Sequence, residues 1–341
     1  MGSLSHLKSL HLRNNSLFGE LPLSLQKCAE LTAMDLGENE FSGSIPTWIG
    51  ERLVNLKILI LRSNKLHDNI PEELCVLNSL QILDLAHNNL WGSIPRCFMN
   101  LSGMYVEQKS SDQMLYGSNA TVAYFFKGIL ENAVLVMKGK VLGYSTILQL
   151  VTSMDLSDNI LSGEIPKELT LLLGLRSLNL SHNRLTGRIP ENIGSMGLLE
   201  SIDFCANHLT GAIPSSMASL TFLSHLNLSN NNLTGEIPLS TQFQSFNASC
   251  FVGNNLCGPP LVHNCSVNDA TPIAKHGGGN EGKGGNGPEV DWFYVSTVLG
   301  FIMGFWGVFG PILFKRSWRV VCFELMDSMC HKFCVLIGIC K

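Results

Sequence analysis

The side chains able to do chemistry in this 341-residue chain are spread at regular intervals rather than gathered in clusters. Asp35, Asp84, Asp155 and Asp203 recur at matching places, and His11, Arg13, Glu38, Ile60, Arg62, His87, Asp158, His182 and His225 fall close by in the same register. Carboxylates and imidazoles do acid–base work when a pocket brings them together. Positions dictated by a repeat string them along a surface instead, so the chemistry open to them is recognition of a ligand. The aspartate series is too regular to be ligand-specific and reads as repeat grammar. There is no nucleophile elbow, Walker loop, kinase signature or His-Glu-x-x-His run, so no enzyme is expected. The nearest approach to a metal motif is Cys330-His331-x-x-Cys334. Tetrahedral zinc draws on spaced pairs of ligands, so that group reads as reduced thiols, with Cys322 available for palmitoylation; neither metal nor cofactor is expected.

What must hold these side chains is legible in the composition. The chain carries 53 Leu and 28 Asn, with a net charge of −4 that argues against a nucleic-acid footprint. The template L-x-x-L-x-L-x-x-N-x-L-x-G-x-I-P starts at Leu7, Leu31, Leu56, Leu80, Val151, Leu175, Leu199 and Leu223. Its asparagines are Asn15, Asn39, Asn64, Asn88, Asn159, Asn183, Asn207 and Asn231, at spacings of 24, 25, 24, 71, 24, 24 and 24. In L-x-L the leucines of a short strand point inward and the residues between them face out. The Asn side chain, with two donors and an acceptor, satisfies the backbone of the turn that follows. Gly permits the bend before I-P, and Pro fixes φ where no further helix is wanted. Eight such coils predict an α/β horseshoe: a leucine-rich-repeat solenoid with short parallel strands on its concave face. The outward strand residues form that face, the usual binding surface of a solenoid.

The long spacing marks an insertion. Residues 1–101 hold four repeats, 102–148 an island, and 149–240 four more. Tyr105, Tyr116, Tyr124, Phe125, Phe126 and Tyr144 give the island the material to fold against the solenoid, and its later part predicts a hairpin turning near Lys138-Gly139. Residues 241–268 read as a C-terminal cap and 269–291 as a flexible Gly-rich linker. Trp292 to Phe314 is 23 residues without a charge, enough for a transmembrane helix, and Lys315, Arg316 and Arg319 after it put the 315–341 tail in the cytosol. Gly300, Gly304 and Gly307 share one face of that helix, where a second helix could approach closely.

Seven cysteines precede the membrane segment, an odd number. Cys257–Cys265 would staple the cap. Cys75 and Cys97 follow the template Asn of adjacent coils by eleven and nine residues, which makes a bridge between stacked turns plausible. Cys205 sits at an outward position as a free thiol, and Cys250 could compete with Cys257. Glycosylation sequons stand at Asn14, Asn100, Asn119, Asn179, Asn227, Asn232, Asn247 and Asn264, and none is a template asparagine. Glycans on Asn179 and Asn227 would obstruct the concave face near the last repeats, biasing ligand contact toward the island and the earlier coils.

Taken together these segments resemble the plant leucine-rich-repeat receptor-like proteins. The likeness is carried by LTAMDLGENEFSGSIPTWIG (31–50), SLQILDLAHNNLWGSIP (79–95), MKGKVLGYSTILQLVTSMDLSD (137–158) and FVGNNLCGPPL (251–261), and by an island placed before four final repeats. The resemblance implies a kinase-less cell-surface receptor for pathogen, damage or developmental signals. It implies an adaptor receptor kinase on the transmembrane Gly face, and a co-receptor kinase with a peptide or protein ligand at the island and last repeats. Because Met1 opens directly into a repeat, the chain reads as the C-terminal portion of a longer receptor; the family topology, with repeats outside and the C-terminus cytosolic at the plasma membrane, is expected, and a late-inserted membrane segment is the alternative that leaves the repeats cytosolic. Two other readings follow from the same repeats. A secreted inhibitor of cell-wall-degrading enzymes would end at the cap, which the apolar segment disfavours. A truncated, non-signalling fragment would expose Leu7, Leu10 and Leu12 and aggregate.

Overall fold

The computed structural model describes residues 4–105, 133–144, 151–261 and 265. The linker, the apolar segment with Gly300, Gly304 and Gly307, and the tail lie outside the described residues, as do Asn119 and Asn264. Among the described residues no helix is long and apolar enough to cross a membrane.

One three-residue strand per coil builds a concave sheet of eight parallel strands in chain order: Ser9–His11, Ala33–Asp35, Ile58–Ile60, Ile82–Asp84, Ser153–Asp155, Ser177–Asn179, Ser201–Asp203 and His225–Asn227. These define coils 1 to 8. Their central residues, Leu10, Met34, Leu59, Leu83, Met154, Leu178, Ile202 and Leu226, are all buried in one continuous core. The insertion leaves the stacking intact: Ile82 pairs with Ser153 and Asp84 with Asp155 across it, in the register of every other coil pair. A solenoid is held by neighbour contacts, so a detour of chain between two coils costs it little.

Outside the concave sheet, residues of the L-x-G-x-I-P run form a second parallel ladder of six short strands, from Phe18–Gly19 to Arg184–Thr186, continued by three strands ending at Asn255–Cys257. The template glycine adopts φ between 74° and 89° at Gly19, Gly43, Gly92, Gly163, Gly187, Gly211 and Gly235, and Asp68 fills the same slot in coil 3 at φ 71°. The proline does the reverse of what the sequence suggested. Pro22, Pro71, Pro95, Pro166, Pro190 and Pro214 each stand directly before a five-residue 3-10 helix, such as Glu72–Val76 or Ser215–Ser219. Coil 2 carries a five-residue α-helix, Trp48–Arg52, in the same place. The fixed φ of Pro suits a first turn, so it starts a helix here rather than preventing one.

The template asparagines stitch the coils together. Asn183 donates from Nδ2 to the carbonyls of Leu156, Leu180 and Ser181 and accepts from the Leu161 N–H through Oδ1. Asn39, Asn64, Asn88, Asn159, Asn207 and Asn231 repeat this, each reaching a carbonyl of the coil before. The cap extends the ladder one step further than the eight repeats: Asn254 donates to Leu228, Phe251 and Val252 and accepts from the Leu233 N–H. Phe243 and Phe251, both fully buried with ring centroids 6.3 Å apart, then close the end of the core.

The Cys75–Cys97 disulfide joins the 3-10 helices of coils 3 and 4 with Cα atoms 5.6 Å apart, and Cys257–Cys265 closes the cap at 5.1 Å. Cys205 and Cys250 carry free thiols. Residues Ser102–Tyr105, expected to begin the island, stay on the solenoid: Met104 is fully buried and its carbonyl accepts from the Gly174 N–H.

Candidate ligand-binding face

The in-register sheet sorts the outward side chains into columns that run from coil to coil. The first is Ser9, Ala33, Ile58, Ile82, Ser153, Ser177, Ser201, His225, and the second is His11, Asp35, Ile60, Asp84, Asp155, Asn179, Asp203, Asn227. The second column fastens the strand to the turn. Asp35, Asp84, Asp155 and Asp203 accept from the backbone N–H two residues on, and Asn179 and Asn227 do the same through Oδ1. Four carboxylates are thereby committed to backbone geometry, as their regular recurrence suggests.

Just before each template asparagine the chain enters the left-handed region. Asn14, Glu38, Ser63, His87, Asp158, His182, Ala206 and Asn230 have φ between 51° and 56°. A non-glycine residue there is strained, and here the ladder on either side enforces it. Glu38, His87, Asp158 and His182 of this column are exposed. They make contacts between coils: Arg13 Nη2 lies 2.6 Å from Glu38 Oε1, and His87 Nδ1 meets Asp158 Oδ2. His87 and Asp158 are 71 residues apart in sequence yet adjacent, because coil 5 stacks directly on coil 4.

Three other candidates behave differently. Ile60 is fully buried and Arg62 is 5% exposed, so neither is offered to a ligand in this arrangement. Arg62 Nη1 is 2.8 Å from Asp84 Oδ2 and 4.0 Å from Asp155 Oδ2. Burial, then the negative charge of Asp155, push the Asp84 carboxyl up to about 7 against the pull of Arg62, and burial also raises Asp155. His225 is half-buried, 3.9 Å from Asp203 Oδ2. Burial works to raise the Asp203 carboxyl, yet the neighbouring His225 imidazole and hydrogen bonds from the Cys205 N–H and Asn227 Nδ2 hold it below its ordinary value.

His182 Nε2 stands 3.7 Å from Cys205 Sγ, the one pairing on this face that could suggest a nucleophile. Burial and the neighbouring Asp203 charge push that thiol up to about 12, so it stays protonated and unreactive at neutral pH.

The island returns to this face. Residues Ala133–Met137 and Lys140–Tyr144 form an antiparallel hairpin turning at Lys138-Gly139, the turn expected from sequence. Leu135 is 2% exposed within a cluster of Ala33, Ile58, Ile60, Ile82 and Val151, so coils 2 to 4 carry an apolar patch where a solenoid normally shows polar residues. At the turn, Lys138 Nζ is 2.8 Å from Glu200 Oε2, while Arg176 Nη1 holds the other oxygen of the same carboxylate at 2.8 Å. Burial acts to raise the Glu200 carboxyl, but these two cations hold it below its ordinary value. The hairpin is a separate two-stranded sheet with no ladder to the solenoid. Burying one Leu is worth about 1.5–3 kcal/mol and a part-exposed ion pair roughly 0–1 kcal/mol. Ala33, Ile58 and Ile82 escaped the sequence reading, although their signal was present: apolar residues at three successive outward strand positions.

Of the sequons, Asn14, Asn100, Asn232 and Asn247 are exposed, while Asn179 and Asn227 are half-buried in the second column. Ser181 Oγ and Ser229 Oγ donate to their Oδ1 atoms.

Leucine-rich-repeat family models match residues 174–233 and residues 6–28, 55–77 and 79–101. Over 312 residues the chain is 51% identical to receptor-like protein EIX1 of Solanum lycopersicum, covering 89% of this chain and 30% of that protein. It is 48% identical to EIX2 of the same species over 90% of this chain and 30% of the relative. The chain is a leucine-rich-repeat protein similar over most of its length to plant receptor-like proteins. It spans about 30% of the length of these curated relatives. Among solved structures, the chain is similar to the Arabidopsis receptor kinase HAESA in complex with the peptide hormone IDA and the co-receptor SERK1. That match has a TM-score of 0.57 at 30% identity and covers 75% of this chain and 35% of HAESA.

Proposed function

We propose that this receptor-like protein captures a peptide or protein ligand outside the plant cell on its concave face and signals through partner receptor kinases, in defence. The observation that carries the reading is the left-handed column, which projects Glu38, His87, Asp158 and His182 from coils 2, 4, 5 and 6 along one exposed edge of an eight-stranded sheet. Imidazole and carboxylate groups at fixed spacing match the charged groups and amides of an extended peptide. His11 and Arg13 extend the same surface at coil 1, and His225 ends it at coil 8. The likeness to a peptide-hormone receptor bound to its ligand and co-receptor supports the same use here. On this reading the 292–314 segment spans the plasma membrane, with the repeats outside and the tail in the cytosol, and Gly300, Gly304 and Gly307 contact the helix of an adaptor kinase.

The test places a photo-cross-linking residue at position 87, 158 or 182 of the full chain in plant cells, with position 72 on the outer side as control. Treatment with a fungal elicitor preparation should yield ligand adducts from the first three and none from the control. Equal capture at all four would refute a concave ligand site. Shape-and-charge recognition without catalysis also predicts that no bound ligand is chemically altered.

A further inference from the structure

The apolar patch under the hairpin has an occupant that belongs to the chain itself. We propose that Leu135 is an internal pseudo-ligand: the hairpin buries it in the concave apolar cluster that also holds Ala33, Ile58, Ile60, Ile82 and Val151, and an incoming polypeptide gains that seat for its own apolar side chain only when the hairpin lifts. The patch is thus a binding site for an aliphatic side chain on an extended segment, and the hairpin is its removable cover. Three observations support this. Among the described residues the hairpin shares no backbone ladder with the solenoid, whereas every coil does with its neighbours. Its tip is tied by Lys138 to a carboxylate that Arg176 also holds, so release leaves Glu200 paired and no bare buried charge. At the turn, a side chain at Gly139 would meet His225 at 3.3 Å, so the tip lies along coil 8 while Leu135 lies at the patch, and the hairpin runs lengthwise over the face a ligand would use. Isolated two-stranded hairpins are marginal in water, so the anchors at Leu135 and Lys138 govern whether it stays down.

The proposal deepens the reading of the concave face as a ligand site, and its test needs no external ligand. The probe is a fluorescent synthetic peptide copying Asn132–Tyr144, titrated against the full chain. Leu135→Asp should free the patch and tighten peptide binding at least tenfold over the wild type. Lys138→Ala, which leaves the patch untouched, should move binding in the same direction by a smaller factor and serves if the first variant folds poorly. A carbodiimide condenses the Lys138 amine with the Glu200 carboxylate into an amide, losing water to the reagent. That locked chain should bind less peptide than the untreated one, with Lys138→Arg as the control that resists locking. Adding Ile58→Asp to either opened variant should abolish binding. Equal affinity in the wild type, opened and locked chains, or binding that survives Ile58→Asp, overturns the proposal. Peptide binding as expected without capture of any external ligand would leave the cover standing and refute the receptor reading instead.

Discussion

Replacing Asn183 by alanine should cost far more stability than replacing Asn15, although both occupy the same template position. Asn183 supplies Nδ2 hydrogens to three carbonyls at 3.0, 3.2 and 3.1 Å and takes the Leu161 N–H at 3.0 Å, all in the buried interior. A net hydrogen bond contributes about 1 kcal/mol, and an orphaned buried donor costs roughly 1–3 kcal/mol. Losing two to three bonds and stranding the Leu161 N–H therefore sums to about 3–6 kcal/mol. Asn15 donates only to Leu12 and Arg13, lies exposed, and has no described coil before it to reach. Water replaces those bonds, so Asn15→Ala should cost under about 1 kcal/mol. Asn254, half-buried in the cap with the full set of partners, falls between.

The measurement is urea unfolding followed by circular dichroism, with Asn183→Asp beside Asn183→Ala. Aspartate keeps the shape and loses the donors, so it should be at least as damaging as alanine. A mild Asn183→Asp effect would mean that shape, not donation, is what the position needs. Equal losses at positions 15 and 183 would refute the ladder argument altogether.

Other expectations follow from single sites. The Asp84 carboxyl is held at about 7 in the folded chain against an ordinary 3.8, so the folded state binds the extra proton between those values. Stability is then fully present below about pH 4 and lost as pH rises through 7, by at most about 4 kcal/mol for this group; Asp84→Asn should flatten that slope in melting curves taken across the range. Removing the Cys75–Cys97 bridge, which closes a separation of 22 residues, should cost roughly 3 kcal/mol on chain-entropy grounds, measured by urea unfolding of the double serine variant. A Cβ at Gly194 would lie 2.0 Å from the Ser216 carbonyl of the next coil, so Gly194→Ala should lose more than about 2 kcal/mol, whereas Gly197→Ala, with open space around it, should be near neutral.

The periodic features were readable from sequence because each repeat states the same physical requirement several times. The leucines at L-x-L, the template asparagines and the aspartates that end the strands all stand where the repeat puts them. What escaped were features set by pairing between coils rather than within one. The outer ladder of short strands depends on backbone groups that no side-chain pattern marks. Asn254 carries the ladder into the cap without a leucine strand to announce it. Ile60 and Arg62 looked available because their positions face outward, yet the first lies within the Leu135 cluster and the second is held by Asp84. Outward orientation in a strand says where a side chain points, not what returns to cover it.

That distinction explains how one scaffold can carry an insertion at its centre and keep its register. Coil 5 stacks on coil 4 through the same strand pairing, and Asn159 reaches back to the Leu85 carbonyl as if nothing intervened. Neighbour contacts alone fix the frame, so closing a longer loop between two coils adds only a slowly growing entropy cost. Of the inserted chain's described part, Met104 joins the solenoid core and Leu135 is buried in the concave apolar cluster. On the proposed reading, a ladder with a hairpin across it separates two demands that a globular pocket must meet with the same residues: the coils would hold the geometry of recognition, and the hairpin would set when that geometry is open.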